Sequence, residues 1–179
     1  MKIAKNISEL KLARKTIKDD LALIPTMGAL HDGHLSLIQL ANSQTKATAV
    51  SIFVNPSQFN NSDDLAKYPR PIEEDLKQLE KADVDLVFIP EVDEIYSNNF
   101  QTSIGLTELS QTMEGEFRAG HFEGVATIVT ILLNLIQPTK VVFGEKDFQQ
   151  LCIIKQLISD LKIPIDVISA PIHLSLIHI

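Results

Sequence analysis

Five short apolar runs set the rhythm of this chain: Leu21 to Ile24, Ala47 to Val54, Asp85 to Pro90, Lys140 to Phe143 and Ile165 to Ser169. Runs this short, without strict alternation of polar and apolar residues, read as strands buried on both faces. Helical spacing fills the intervals. Leu37, Ile38 and Ala41 share a face of a helix from Gly33 to Ala41, and Pro71 to Ala82 opens on a proline and repeats Ile72, Leu76 and Leu79. Val125 to Ile136 is almost wholly apolar, and Asp147 to Leu161 carries Leu151, Ile154, Leu157 and Ile158. Strand and helix alternating in this way predict a doubly wound, Rossmann-like α/β fold, a parallel sheet with right-handed crossovers and helices on both faces. No repeat, low-complexity tract or Pro/Gly/Ser-rich linker divides the 179 residues, so residues 1–172 read as one nucleotide-binding domain.

Ligands of such sheets bind beyond the carboxyl ends of the strands. Three loops there are rich in chemistry: Pro25-Thr26-Met27-Gly28-Ala29-Leu30-His31-Asp32-Gly33-His34, then Asn55-Pro56-Ser57-Gln58-Phe59, then Gly144-Glu145-Lys146-Asp147. Gly28 and Gly33 have the separation of the P-loop glycines, but His34 and Leu35 stand where a P-loop has Lys and Ser/Thr, and no G-x-G-x-x-G is present. The phosphate device is therefore a different one. Its glycines permit close backbone approach, and the helix starting near Gly33 offers free N–H groups and the positive end of its dipole. His31 and His34 lie three apart at that entrance, where a protonated or N–H-donating imidazole can stabilise charge growing on a phosphoryl group. The bland alternative is a surface capping pair.

Lys146 can meet a phosphate as a point charge, Gly144 permits a close turn and Asp147 can cap the helix that follows. A capping turn with a solvated lysine is the plainer account of the same residues. Gln58 and Gln150, near two strand ends, can donate to a carboxylate and accept from hydroxyls. Arg118 and His121 precede the apolar helix and either hold an anion or cap it, capping being preferred. Asp63-Asp64 and Glu73-Glu74-Asp75 could hold Mg²⁺ through water, yet acids in the first turn of a helix are what its dipole favours, and a solvated face is the preferred reading. Cys152, the only cysteine, sits among Leu151, Ile153 and Ile154 as a buried inert thiol.

A net charge of −7 with no dense basic run excludes a sequence-independent grip on nucleic acid or an acidic membrane. The start MKIAKNISEL has no apolar leader, no stretch reaches the roughly 20 apolar residues of a span, and a lone cysteine fits a reducing compartment. A cytoplasmic location is the expectation.

Taken together, Pro25 to His34, Phe53 to Phe59, Tyr68-Pro69-Arg70, Arg118 to Gly124 and Phe143 to Leu151 closely resemble the pantoate–β-alanine ligase family of His-x-Gly-His nucleotidyltransferases, over nearly all the chain to about Ile172. The resemblance implies an ATP-dependent ligase that forms pantoyl adenylate and pyrophosphate from pantoate, then lets β-alanine displace AMP. It implies ATP contacts from Met27, Gly28, Ala29, Leu30, His31, Asp32, Gly33 and His34 and from Gly144, Glu145, Lys146 and Asp147. His34 is implied as proton donor or phosphate stabiliser alongside His31, Lys146 as a partner of the phosphates, and Gln58 and Gln150 as the pantoate holders. Mg²⁺ would travel with ATP, no protein metal ligands are assigned, and a homodimer is the family's usual assembly. The family continues into a Met-Ser-Ser-Arg-type motif and a smaller C-terminal domain, whereas residues 173–179 depart from its pattern; the expectation is an aberrant tail, with no function for His173 or His178, on a chain with little ligase activity alone. Two other readings remain: a nucleotidyltransferase acting on a phosphate acceptor, against which the two glutamines argue, and a non-catalytic module binding ATP or pantoate.

Overall fold

A computed structural model describes residues 1–173. The expected tail therefore lies, apart from His173, outside the described residues, and so does His178. The strands are β1 (Lys2–Ala4), β2 (Leu21–Thr26), β3 (Ala47–Ile52), β4 (Leu86–Phe88), β5 (Lys140–Gly144) and β6 (Asp166–Ala170). They form one sheet in the order β1-β4-β3-β2-β5-β6, parallel at every pairing. The principal helices are α1 (Ile7–Lys15), α2 (Asp32–Gln44), α3 (Ser62–Lys67), α4 (Ile72–Lys81), α5 (Val92–Ile95), α6 (Glu114–Phe117), α7 (His121–Ile136) and α8 (Phe148–Asp160).

Alternation along β2 shows why the sheet is buried twice over. Leu21 and Leu23 join the core under α1, α7 and α8, while Ala22 and Ile24 join the one under α2 and α4. With side chains pointing to opposite faces in turn, a strand at the centre must be apolar throughout, and the first four residues of β2 are fully buried. The doubly wound expectation holds, and element ends shift by only a few residues. β1 and α1 were absent from that expectation. β1 is too short to show a period, and α1 buries Leu10 alone, its start being fixed by Asn6, whose side chain accepts from the Glu9 N–H at 2.8 Å. Cys152 is partly exposed, a correction to the buried thiol expected there.

The order of strands reverses at β2, which has β3 on one side and β5 on the other. That junction is also where the ladder stops early. β2 pairs with β3 along its whole length, Leu21 to Thr26, but with β5 only at Ala22 and Leu23. Pro25, two residues on, has no N–H to donate. The strands part, and a cleft opens at their carboxyl ends.

Candidate active site

The cleft holds a cavity of about 160 Å³ at the switch point of the sheet. Pro25, Thr26 and Phe143 form its floor at the strand ends; Met27 and His34 face it from the loop after β2, Asn55 and Gln58 from the loop after β3, and Asp147 and Gln150 from the start of α8. Val125, Ile128, Val129 and Leu132 of α7 supply an apolar wall, and Tyr68 completes the lining. Three loops far apart in sequence thus meet, as expected. Apolar walls with a few convergent polar groups are the ordinary make-up of a small-molecule site.

The loop from Met27 to His34, called here the His loop, is shaped by its own hydrogen bonds. Gly28 and Ala29 both adopt positive φ, +79° and +50°. A Cβ on Gly28 would lie 2.9 Å from a carboxylate oxygen of Asp75, so both the backbone sign and the space demand glycine. Gly28 N–H donates to Thr26 Oγ1 at 3.2 Å, and the N–H groups of Ala29 and Leu30 donate to Asp75 at 2.9 and 2.8 Å. His31 is the N-cap of α2; its Nδ1 accepts from the Gly33 N–H at 3.1 Å, over a Gly33 whose missing Cβ would otherwise meet the ring at 2.8 Å. Of the free N–H groups expected where α2 begins, that of Gly33 is therefore taken up by His31, and Gly28 and Leu30 are buried. Met27 and His34 line the cavity, and His31 lies beside His34, its ring centroid 4.1 Å away. Capping and ligand-facing readings of the histidines were not exclusive: His31 caps, and His34 faces the cleft.

His34 is held neutral. Burial first, then the neighbouring His31, lowers its pKa from 6.5 to about 4; Asp75 and Asp147 pull the other way, and Lys146 adds to the lowering. At pH 7 the ligand-free chain thus presents the neutral ring, with an N–H donor and one lone pair. Its Nδ1 is buried without a partner. Lys146 and Asp147 stand near enough to act on His34, although Lys146 is exposed, its Nζ 3.3 Å from Asp147 Oδ1. Asp147 occupies the N-cap position of α8 without making a side-chain cap bond, and Gly144 has ordinary extended backbone with no crowding, so neither keeps the turn role expected of it.

Gln58 is oriented by a small network. Asn55, 1% exposed, donates from Nδ2 to Gln58 Oε1 at 3.0 Å and to the Gly124 carbonyl at 3.2 Å, and its Oδ1 accepts from Tyr96 and Ser57 hydroxyls at 2.8 and 2.9 Å. With its oxygen so engaged, Gln58 turns its amide NH₂ toward Met27 Sδ, 3.2 Å away in the cavity wall. His121 neither caps α7 nor reaches for an anion. It is buried, and its Nδ1 lies 2.8 Å from the Gln58 carbonyl, while burial lowers its pKa. Gly120, at φ +78°, is the N-cap, and Arg118 pairs with Glu114 at the surface.

Asp75 is a further correction. Asp63, Asp64, Glu73 and Glu74 are solvated first-turn acids as read, but Asp75 is fully buried beneath the His loop. Its spacing after Glu73-Glu74 disguised it as one more dipole acid; the clue was its place one helical turn from the apolar Leu79. Among the described residues no group of three or more His, Cys, Asp or Glu gathers to hold a metal ion. No helix among them is long and apolar enough to cross a membrane.

A family profile described as pantoate-beta-alanine ligase matches residues 2–175. The chain belongs to the pantoate–β-alanine ligase family. It is 52% identical over 153 residues to a pantothenate synthetase of Aquifex aeolicus, covering 86% of this chain and 54% of that protein. A pantothenate synthetase of Chloroflexus aggregans is 47% identical over 171 residues, 96% of this chain and 61% of the relative. A solved pantoate–β-alanine ligase of Francisella tularensis, complexed with β-γ ATP and β-alanine, superposes with a TM-score of 0.95 at 39% identity, over 98% of this chain and 69% of the other. The chain thus spans between about half and two thirds of these relatives' length.

Proposed function

We propose that this chain carries the catalytic domain of an ATP-dependent pantoate–β-alanine ligase. The observation that carries the proposal is the cavity at the β2/β5 junction, which is lined together by His34 and Met27 of the His loop and by the neutral amides of Gln58 and Gln150. In the first step a pantoate carboxylate oxygen bonds to the α-phosphorus of ATP as the bond to the departing pyrophosphate breaks. In the second, the amine of β-alanine bonds to the acyl carbon, the acyl–oxygen bond to AMP breaks, and the amine gives up a proton. Pantothenate, AMP and pyrophosphate result.

His31, His34 and Lys146 serve the phosphates, His34 through an N–H of its neutral ring, and Gln58 and Gln150 hold pantoate, with Gln58 acting as donor. Met27, the rest of the His loop and Gly144 to Asp147 frame the nucleotide. Mg²⁺ enters on the phosphates of ATP, as part of that substrate. The reaction is assigned to the cytoplasm, and a homodimer is the proposed assembly, which sedimentation velocity checks.

Exchange of labelled pyrophosphate into ATP isolates the first step. The expected result is exchange that requires pantoate, falls by about 10² or more in His34→Ala, where a transition-state donor is removed, and loses apparent pantoate affinity in Gln58→Ala. Exchange without pantoate, or only with a phosphorylated acceptor, would overturn the proposal.

A further inference from the structure

Two successive residues at positive φ, Gly28 and Ala29, turn the following N–H groups of the His loop to one side. A concavity of convergent backbone N–H groups is a general anion site, of the sort that receives phosphate in other nucleotide-binding loops. Here it already contains an anion. Asp75 accepts from Ala29 N–H through Oδ2 at 2.9 Å and from Leu30 N–H through Oδ1 at 2.8 Å, one oxygen to each donor, and the residue is fully buried. The missing Cβ of Gly28 is what lets the carboxylate approach, since that atom would sit 2.9 Å from Oδ2.

A buried carboxylate under a loop meant for phosphates is a costly arrangement unless its bonds are needed, because burial penalises charge and its sign opposes that of the ligand. Bonds from two backbone donors offset part of that cost. They also support Ala29, a residue with a Cβ in left-handed backbone, a strained conformation that persists only where surroundings impose it.

We propose that Asp75 is the positioning residue of the His loop: its carboxylate fills the loop's own amide nest from below, turning those amides away from the ligand and fixing His34 in the cavity lining with His31 beside it. The nucleotide phosphates are then met on this loop by side chains rather than by the Ala29 and Leu30 amides. The assignment of the ligand as ATP rests on the function proposed above; the brace itself does not.

Amide hydrogen exchange in the 179-residue chain tests the brace without any ligand. In the parent, the Ala29 and Leu30 amides are expected to be protected although they lie in a loop. In Asp75→Asn, which keeps the shape but sets an NH₂ against one donor, their exchange is expected to quicken about tenfold or more, with sheet amides of β2 and β3 unchanged. Unprotected amides in the parent, or a variant in which sheet and loop quicken together, would overturn the proposal. Calorimetric titration with MgATP and, separately, with pantoate distinguishes positioning from general stability. Asp75→Asn should weaken ATP by about tenfold or more while pantoate stays within about threefold; equal weakening of both, or of neither, refutes the positioning role. A parent that binds neither ligand sinks the functional proposal, and exchange still decides the brace.

Discussion

His34 shows how a single side chain links stability to pH. Its folded pKa, about 4, lies below the ordinary 6.5, so between those values the unfolded chain binds the proton more readily. The stability it contributes is complete above about pH 6.5 and is lost as pH falls toward 4. Denaturant midpoints measured across that window should drop with acid, and His34→Gln should drop less steeply. Catalysis, by contrast, should show no loss from protonation of His34 as pH falls from 7 to 6. Gly124 is a second residue whose effect is out of proportion to its size. A Cβ there would stand 2.5 Å from the Ser57 carbonyl oxygen, backbone that cannot move aside without carrying Gln58 with it. Gly124→Ala should cost about 1–3 kcal/mol in chemical unfolding and weaken pantoate binding more than ATP binding.

Among elements, α7 does most to build the cleft, and its far end is closed by a partner distant in sequence. Arg14 of α1 donates from Nε to the Ile136 carbonyl at 2.8 Å and from a terminal nitrogen to that of Gln137 at 3.1 Å, satisfying orphan carbonyls where Gln137 turns left-handed. Arg14→Ala should lower stability by about 1–3 kcal/mol, since bonds to a charged donor are lost, and Arg14→Lys should recover only part of it. Nothing in the local sequence of α1 announces this contact. What was legible among the elements was periodicity: five of six strands and the helices α2, α4, α7 and α8 follow from apolar spacing, because a sheet buried on both faces leaves no choice of residue. The loops were legible as places, since strand ends define where ligands bind. Their internal bonds were not, because Asp75 and Ala29, or His121 and Gln58, meet only once the fold has formed. Glycines misled in one direction: Gly28 is demanded by its positive φ, whereas Gly144 has ordinary backbone and no crowding.

On the scale of the molecule, the sheet separates two cores. Leu79 belongs to the one under α4 and Leu133 to the one under α7, on opposite sides of the strands, and both are almost completely buried. Leu79→Ala and Leu133→Ala should each cost about 2–5 kcal/mol, and the double variant should match their sum to within about 0.5 kcal/mol, as for sites sharing no neighbour. Failure to add in urea titration would mean that the sheet transmits strain from face to face. One seam in that sheet is unlike the others. β2 and β5 are zipped at Ala22 and Leu23 and open beyond them, whereas β2 and β3 are zipped through Thr26. Considered as a mechanical object, the protein is a notched plate, with the notch cut at its centre by one imino acid rather than worn in at an edge. Under tension across the strands such a plate tears from the notch, so in a force experiment β5 and β6 should peel away from the other four strands before any of those separate, and a ligand lodged in the notch should raise the force required.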